Sequence, residues 1–172
     1  MISLTDIMKH KTPPFFTPKW LTAITHLTPT AGISWLIEQR INLIFKTQIN
    51  DGELDFLIDK QLCIDVDNLP LSLLISLNAT SKRLTIFSIK PWLLPKEHLK
   101  YDGKLTGSSD TFLSLMSGKY DPDTLFFSRK LAIQGDTELC LTVKNWLDTQ
   151  DPQASLPDWL FNQLTEYVES LQ

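Results

Sequence analysis

A chain of 172 residues has room for one domain with a core of its own. Its apolar fraction of 42%, charged fraction of 21% and net charge of −4 are ordinary for a soluble globule and argue against a nucleic-acid binder. No window holds the eighteen or so apolar residues of a membrane span, and the N-terminus lacks a secretory h-region. A cytoplasmic protein is expected, with any membrane contact peripheral to the inner membrane. Cys63 and Cys140 form no CxxC pair and sit among apolar neighbours, as buried free thiols do in a reducing compartment. Basic residues gather in the middle of the chain, whereas only Lys144 opposes the acids from Leu131 onward. A dispersed solvated face is the expected reading of that asymmetry, and contact with anionic headgroups the alternative.

Residues 1–30 are punctuated by Pro13, Pro14, Pro18 and Pro29, with Phe15, Phe16 and Trp20 between them. The segment is too apolar for a solvated tail and too rich in proline for one long helix. It packs across the domain, or it is an arm carrying aromatics to a membrane or partner.

Residues 31–150 hold the domain. Ile33, Leu36, Ile37, Ile41, Ile44 and Phe45 recur at three and four and predict an amphipathic helix over 31–48, ended by Asn50-Asp51-Gly52. Asp51, Glu53, Asp55 and Asp59 suggest calcium, but Gly52 is misplaced and the closing bidentate glutamate is missing, so a capped or solvated turn is expected. Leu62, Ile64 and Val66 alternate with Cys63, Asp65 and Asp67, as a half-buried strand does. Leu71 to Asn78 is the cleanest strand in the chain, and 82–90 is a third, apolar on both faces. Short loops join these strands, which argues for antiparallel pairing. The apolar residues at 91–95, bracketed by proline, form a loop or satellite core.

Ser108, Ser109 and Asp110 offer caps for a helix over 111–117, and Gly118 suits its left-handed end. Asp121-Pro122-Asp123 reads as a turn. Arg129, Leu131 and Ile133 alternate with Lys130, Ala132 and Gln134 as a strand, which Gly135 breaks. Asp136 then caps a helix whose Leu139, Val143, Trp146 and Leu147 share a face. Residues 151–172 comprise a linker to Pro157 and a terminal helix with a stripe of Trp159, Leu160, Leu164, Tyr167, Val168 and Leu171. That helix is expected to be fixed, a mobile lid being the alternative.

Chemistry is sparse. His10, His26 and His98 show no metal-ligand spacing, and no nucleophile elbow, P-loop or dinucleotide fingerprint is present. Catalytic residues, metal and cofactor are therefore all expected to be none.

The residues from Phe112-Leu113-Ser114-Leu115 through Gly118-Lys119, Pro122, Phe126-Phe127, Lys130-Leu131, Ile133 and Gly135-Asp136 carry a motif. They resemble the C-terminal half of the sterol carrier protein type 2 lipid-binding domain. Asp51 to Leu57, with Asp123 to Phe127, Gly135 to Leu139 and Val143-Lys144-Asn145, narrow the resemblance to bacterial ubiquinone-biosynthesis accessory factors. It covers roughly 33–148. It implies an α/β (α+β) fold: an antiparallel sheet of about five strands, with helices over one face enclosing a hydrophobic cavity. It also implies lipid binding without catalysis. The ligand would be a prenylated phenol or quinone, or phospholipid, presented to hydroxylating enzymes. Implied partners are the oxygen-independent hydroxylation proteins UbiU and UbiV, or the wider biosynthetic complex, and no nucleic acid. The expected lining is Leu73, Ile75, Leu77, Phe112, Met116, Phe126, Phe127, Val143 and Trp146. Alternatives are a scaffold of that complex or a general carrier of phospholipid and acyl chains.

Overall fold

The computed structural model describes residues 30–69, 71–89 and 99–171. The expectations for residues 1–29, for the cluster at 91–95 and for His10, His26 and His98 fall outside the described residues.

The first predicted helix is two. Helix α1 spans Thr30–Ile44 and α2 spans Lys46–Asn50, with Phe45 between them at ψ 22°. A 3-10 turn, Asp55–Leu57, follows. Five strands then form one sheet in the order β3-β2-β1-β4-β5. They are β1 (Leu62–Val66), β2 (Leu71–Asn78), β3 (Arg83–Ile89), β4 (Gly103–Gly107) and β5 (Leu131–Gly135). The expected antiparallel pairing holds for β1–β2, β2–β3 and β4–β5. It fails at the centre, where β4 runs parallel to β1, with Ile64 opposite Leu105. Strands β1 to β3 form a meander, and β4 pairs with the side of β1 that the meander leaves free.

The caps read from the sequence are present. Helix α3 (Ser109–Met116) begins where the Ser108 side chain accepts from the Thr111 amide at 3.2 Å, and Gly118 follows its end at φ +66°. The segment 121–127 departs from expectation, because it is a helix, α4 (Pro122–Phe127), and not a turn. Asp-Pro serves both structures: the Asp121 carboxylate accepts from the Thr124 amide, and Pro122 at the first helical position gives up no hydrogen bond. Asp136 caps α5 (Thr137–Thr149) by accepting from the Leu139 amide at 3.0 Å. The 151–157 linker contains a short helix, α6 (Pro152–Ser155). The terminal helix α7 (Asp158–Ser170) packs on α3, burying Leu164, Tyr167 and Val168 while Trp159 and Leu171 stay exposed. The Tyr167 hydroxyl donates to Asp110 at 2.9 Å.

Helix α1 does not lie flat on the sheet. It runs along the edge strand β3 and bonds to its backbone through side chains four residues apart. Ser34 Oγ accepts from the Ser88 amide at 2.7 Å, Glu38 Oε2 from the Ile86 amide at 3.1 Å, and Asn42 Oδ1 from the Leu84 amide at 2.8 Å. Asn42 Nδ2 also donates to the Leu84 carbonyl at 2.8 Å. These side chains satisfy amides that a free edge strand would offer to another chain.

Candidate functional site

Strand register sorts the side chains into two faces. Leu62, Ile64 and Val66 of β1 share a face with Leu71, Leu73, Ile75 and Leu77 of β2, and with Leu84 and Ile86 of β3. Leu105 of β4 and Leu131 and Ile133 of β5 complete this inner face. The helices cover it unevenly. Helix α5 lies on β4 and β5, so close that a Cβ on Gly103 would stand 2.8 Å from Cys140 Sγ. Burial raises the pKa of that thiol above its ordinary value. Helix α1 holds the opposite edge.

Between the two helices the centre of the sheet stays partly open. Ile64, on the central strand, is only half-buried, as are its neighbours Leu73 and Ile75. The inner residues on either side of Ile64 along β1, Leu62 and Val66, are by contrast buried, as is Leu105 opposite it. At one place the walls meet: Phe45, at the α1–α2 junction, and Trp146 of α5 pack edge-on with centroids 5.0 Å apart. The Trp146 indole N–H donates to Glu53 at 3.1 Å. Ile64, Leu73 and Ile75 thus form a shallow apolar trough in an inner face that is otherwise buried at Leu62, Leu77, Ile86 and Leu105.

The residues expected to line a cavity divide between trough and surface. Leu73 and Ile75 lie on its floor. Phe112 and Trp146 are half-buried against the core, and Leu77 and Val143 are buried within it. Met116, Phe126 and Phe127 stand elsewhere, at 49%, 37% and 79% exposure. Helix α4 turns Pro122 and Leu125 inward, which leaves its two phenylalanines outside. Ile64 and Phe45 had not been singled out as lining. Ile64 was already legible from its alternation with Cys63 and Asp65, whereas the role of Phe45 depends on a helix break that periodicity conceals.

The outer face carries the polar chemistry. Asp65, 3% exposed, pairs with Lys104 at 2.9 Å and accepts from Ser72 Oγ at 2.7 Å. Burial works against the Lys104 charge, but Asp65 outweighs it and raises the ammonium pKa. An ion pair sealed into a sheet in this way is structural. Two clefts of about 390 and 440 Å³ are mainly polar, and neither is lined by Ile64, Leu73 or Ile75. Among the described residues no cluster of His, Cys, Asp or Glu could hold a metal, and no helix is long and apolar enough to cross a membrane.

The chain is 32% identical over 157 residues to the ubiquinone biosynthesis accessory factor UbiT of Escherichia coli strain K12, covering 89% of this chain and 83% of that one. UbiT of E. coli O157:H7 matches to the same extent. Among solved structures, a ubiquinone synthesis protein, UbiJ-SCP2, aligns with a TM-score of 0.48 at 19% identity, over 69% of this chain and 88% of that one. Apo sterol carrier protein 2 from Yarrowia lipolytica aligns at 0.45 and 19% identity, over 75% and 96%. Residues 39–148 match the SCP-2 sterol transfer family, and the chain belongs to it.

Proposed function

We propose that this protein is a non-enzymatic lipid-binding accessory factor of ubiquinone biosynthesis. Its cargo is a prenylated phenol or quinone intermediate, with phospholipid as a competing occupant of the same site. The prenyl tail lies on Leu73, Ile75 and Ile64, between Phe112 and Trp146, with Leu77 and Val143 backing the floor. The head group stays at the mouth, within reach of hydroxylating enzymes of the oxygen-independent route, UbiU- and UbiV-like proteins or the wider complex. Met116, Phe126 and Phe127 stand outside the trough and are assigned no contact with a sheltered tail.

The half-buried apolar floor carries this reading, and the identity with UbiT along nearly the whole chain supplies the pathway. Enclosing about 400 Å² of tail would contribute roughly 10 kcal/mol, before association costs. A tail in a bilayer is already out of water, so the carrier exchanges its cargo and does not trap it.

Native mass spectrometry with lipid extraction tests the proposal. The purified protein is expected to carry a quinone, prenylphenol or phospholipid. Ile75→Trp, which fills the floor, is expected to empty it at a stability cost of about 1–3 kcal/mol. A wild-type protein that emerges empty, and stays empty when offered prenylphenols, would overturn the assignment.

A further inference from the structure

The last two residues of α4 and the turn after it are five consecutive exposed residues, Phe126-Phe127-Ser128-Arg129-Lys130. The helix anchors itself through Pro122 and Leu125, so the two phenylalanines are not needed to hold it. Their rings pack edge-on with centroids 5.7 Å apart, and Phe127 is the most exposed large apolar side chain among the described residues. Directly after them the chain turns through Arg129, at φ +60°, so two cations follow the aromatic pair in the chain. Among the described residues neither Arg129 nor Lys130 has a carboxylate within salt-bridge distance. Asp123, one turn before Phe127, is neutralised by Lys144. Asp67 and Asp110 line the 390 Å³ cleft together with the two cations, and Asp110 already holds the Tyr167 hydroxyl.

We infer that this tip docks on an anionic lipid bilayer, with Phe126 and Phe127 inserted at the interface and Arg129 and Lys130 against headgroup phosphates. Charge complementarity favours a bilayer. An apolar pair flanked by unpaired cations is what an anionic interface rewards, since the rings leave water while the charges stay at the surface. A protein partner burying the same tip would have to supply carboxylates to both cations. The inference extends the carrier reading by naming the surface through which cargo would be exchanged.

Flotation of the full-length chain with vesicles tests it, using phosphatidylglycerol–phosphatidylethanolamine against pure phosphatidylcholine. Wild-type protein is expected to float with the anionic vesicles alone and to be released by salt. Phe127→Ser is expected to weaken partitioning about tenfold. Each cation contributes roughly fivefold, so Arg129→Asn with Lys130→Gln is expected to cost about 25-fold. Asparagine tolerates the left-handed backbone at 129, and all these side chains are exposed, so the variants should keep the wild-type unfolding midpoint. Leu43→Ser, exposed on α1 at the other sheet edge, serves as the control and should float as wild type does. A wild-type protein that stays in solution, or tip variants that float unchanged, would overturn the inference. Lipid extracted from the same samples separates the two readings. An empty protein that floats refutes the carrier alone, and a loaded one that does not float refutes the docking alone.

Discussion

Replacing Asn42 tests whether α1 is fastened to β3 by side-chain bonds or merely lies beside it. Asn42 both accepts from the amide of Leu84 and donates to its carbonyl, each at 2.8 Å, so both of these bonds fall on the strand's backbone. Asn42→Ala removes the pair and leaves a strand amide and carbonyl without partners. At about 0.5–1.5 kcal/mol per bond, with an added penalty where water cannot reach the orphaned groups, the expected loss is about 2–3 kcal/mol. For a chain of this size that lowers the unfolding midpoint by roughly 5–10 °C. Asn42→Asp is the sharper probe. It keeps an acceptor for the Leu84 amide but places a carboxylate oxygen against the Leu84 carbonyl. At neutral pH it should cost at least as much as alanine, and it should recover as acid protonates it and restores a donor. Urea unfolding measures both variants, and hydrogen exchange at the Leu84 amide locates the effect. A change under ~0.5 kcal/mol for alanine would show that the row of bonds is ornamental.

Other perturbations probe the second half of the sheet. A Cβ on Gly135 would run into the Asp102 carbonyl oxygen, and the residue sits at φ +79°. Gly135→Ala is expected to cost more than ~3 kcal/mol, and Gly135→Asn should fail as well despite tolerating the backbone angle, as thermal unfolding would record. The Leu139 amide and then Lys60 hold the Asp136 carboxyl below its ordinary range. Its stabilisation is present above the usual carboxylate pKa and fades as pH falls through the lowered one. Asp136→Asn should therefore flatten the acid limb of the unfolding curve. Burial, then Asp110, raises the Tyr167 pKa to about 12. That contribution is complete below the ordinary tyrosine pKa and lost as pH climbs through the raised one. Tyr167→Phe should cost about 1 kcal/mol at neutral pH and remove that alkaline decline.

Periodicity located most elements, because alternation and three-four spacing record which side of a segment is buried. It failed where one signal serves two structures. Asp121-Pro122 opens a helix as readily as a turn, and only the Thr124 amide that Asp121 accepts from decides between them. It failed again at Ser34, Glu38 and Asn42, whose spacing of four looks like a solvated stripe until β3 is placed alongside. The parallel β1–β4 seam left no trace, since a strand's own pattern is the same in either direction. At the site, Leu73 and Ile75 were readable because a strand's inner face follows from period two. Phe127 was not, because on a six-residue helix the inward side is set by Pro122 and Leu125, and hydrophobicity alone cannot say which residues those are.

The central seam also bears on how the chain emerges from the ribosome. The meander of β1 to β3 is complete by Ile89, yet the second edge of β1 is satisfied only when β4 ends at Gly107, 41 residues after Val66. At roughly 5–20 residues per second that edge, with Leu62, Ile64 and Val66 on one side of it, waits about 2–8 s for its partner. Helix α1, made first, already guards the other edge at β3. Synthesis order thus leaves one exposed strand to be shielded, and a chaperone holding nascent chains would be expected to engage this one most between the completion of β3 and the arrival of β4.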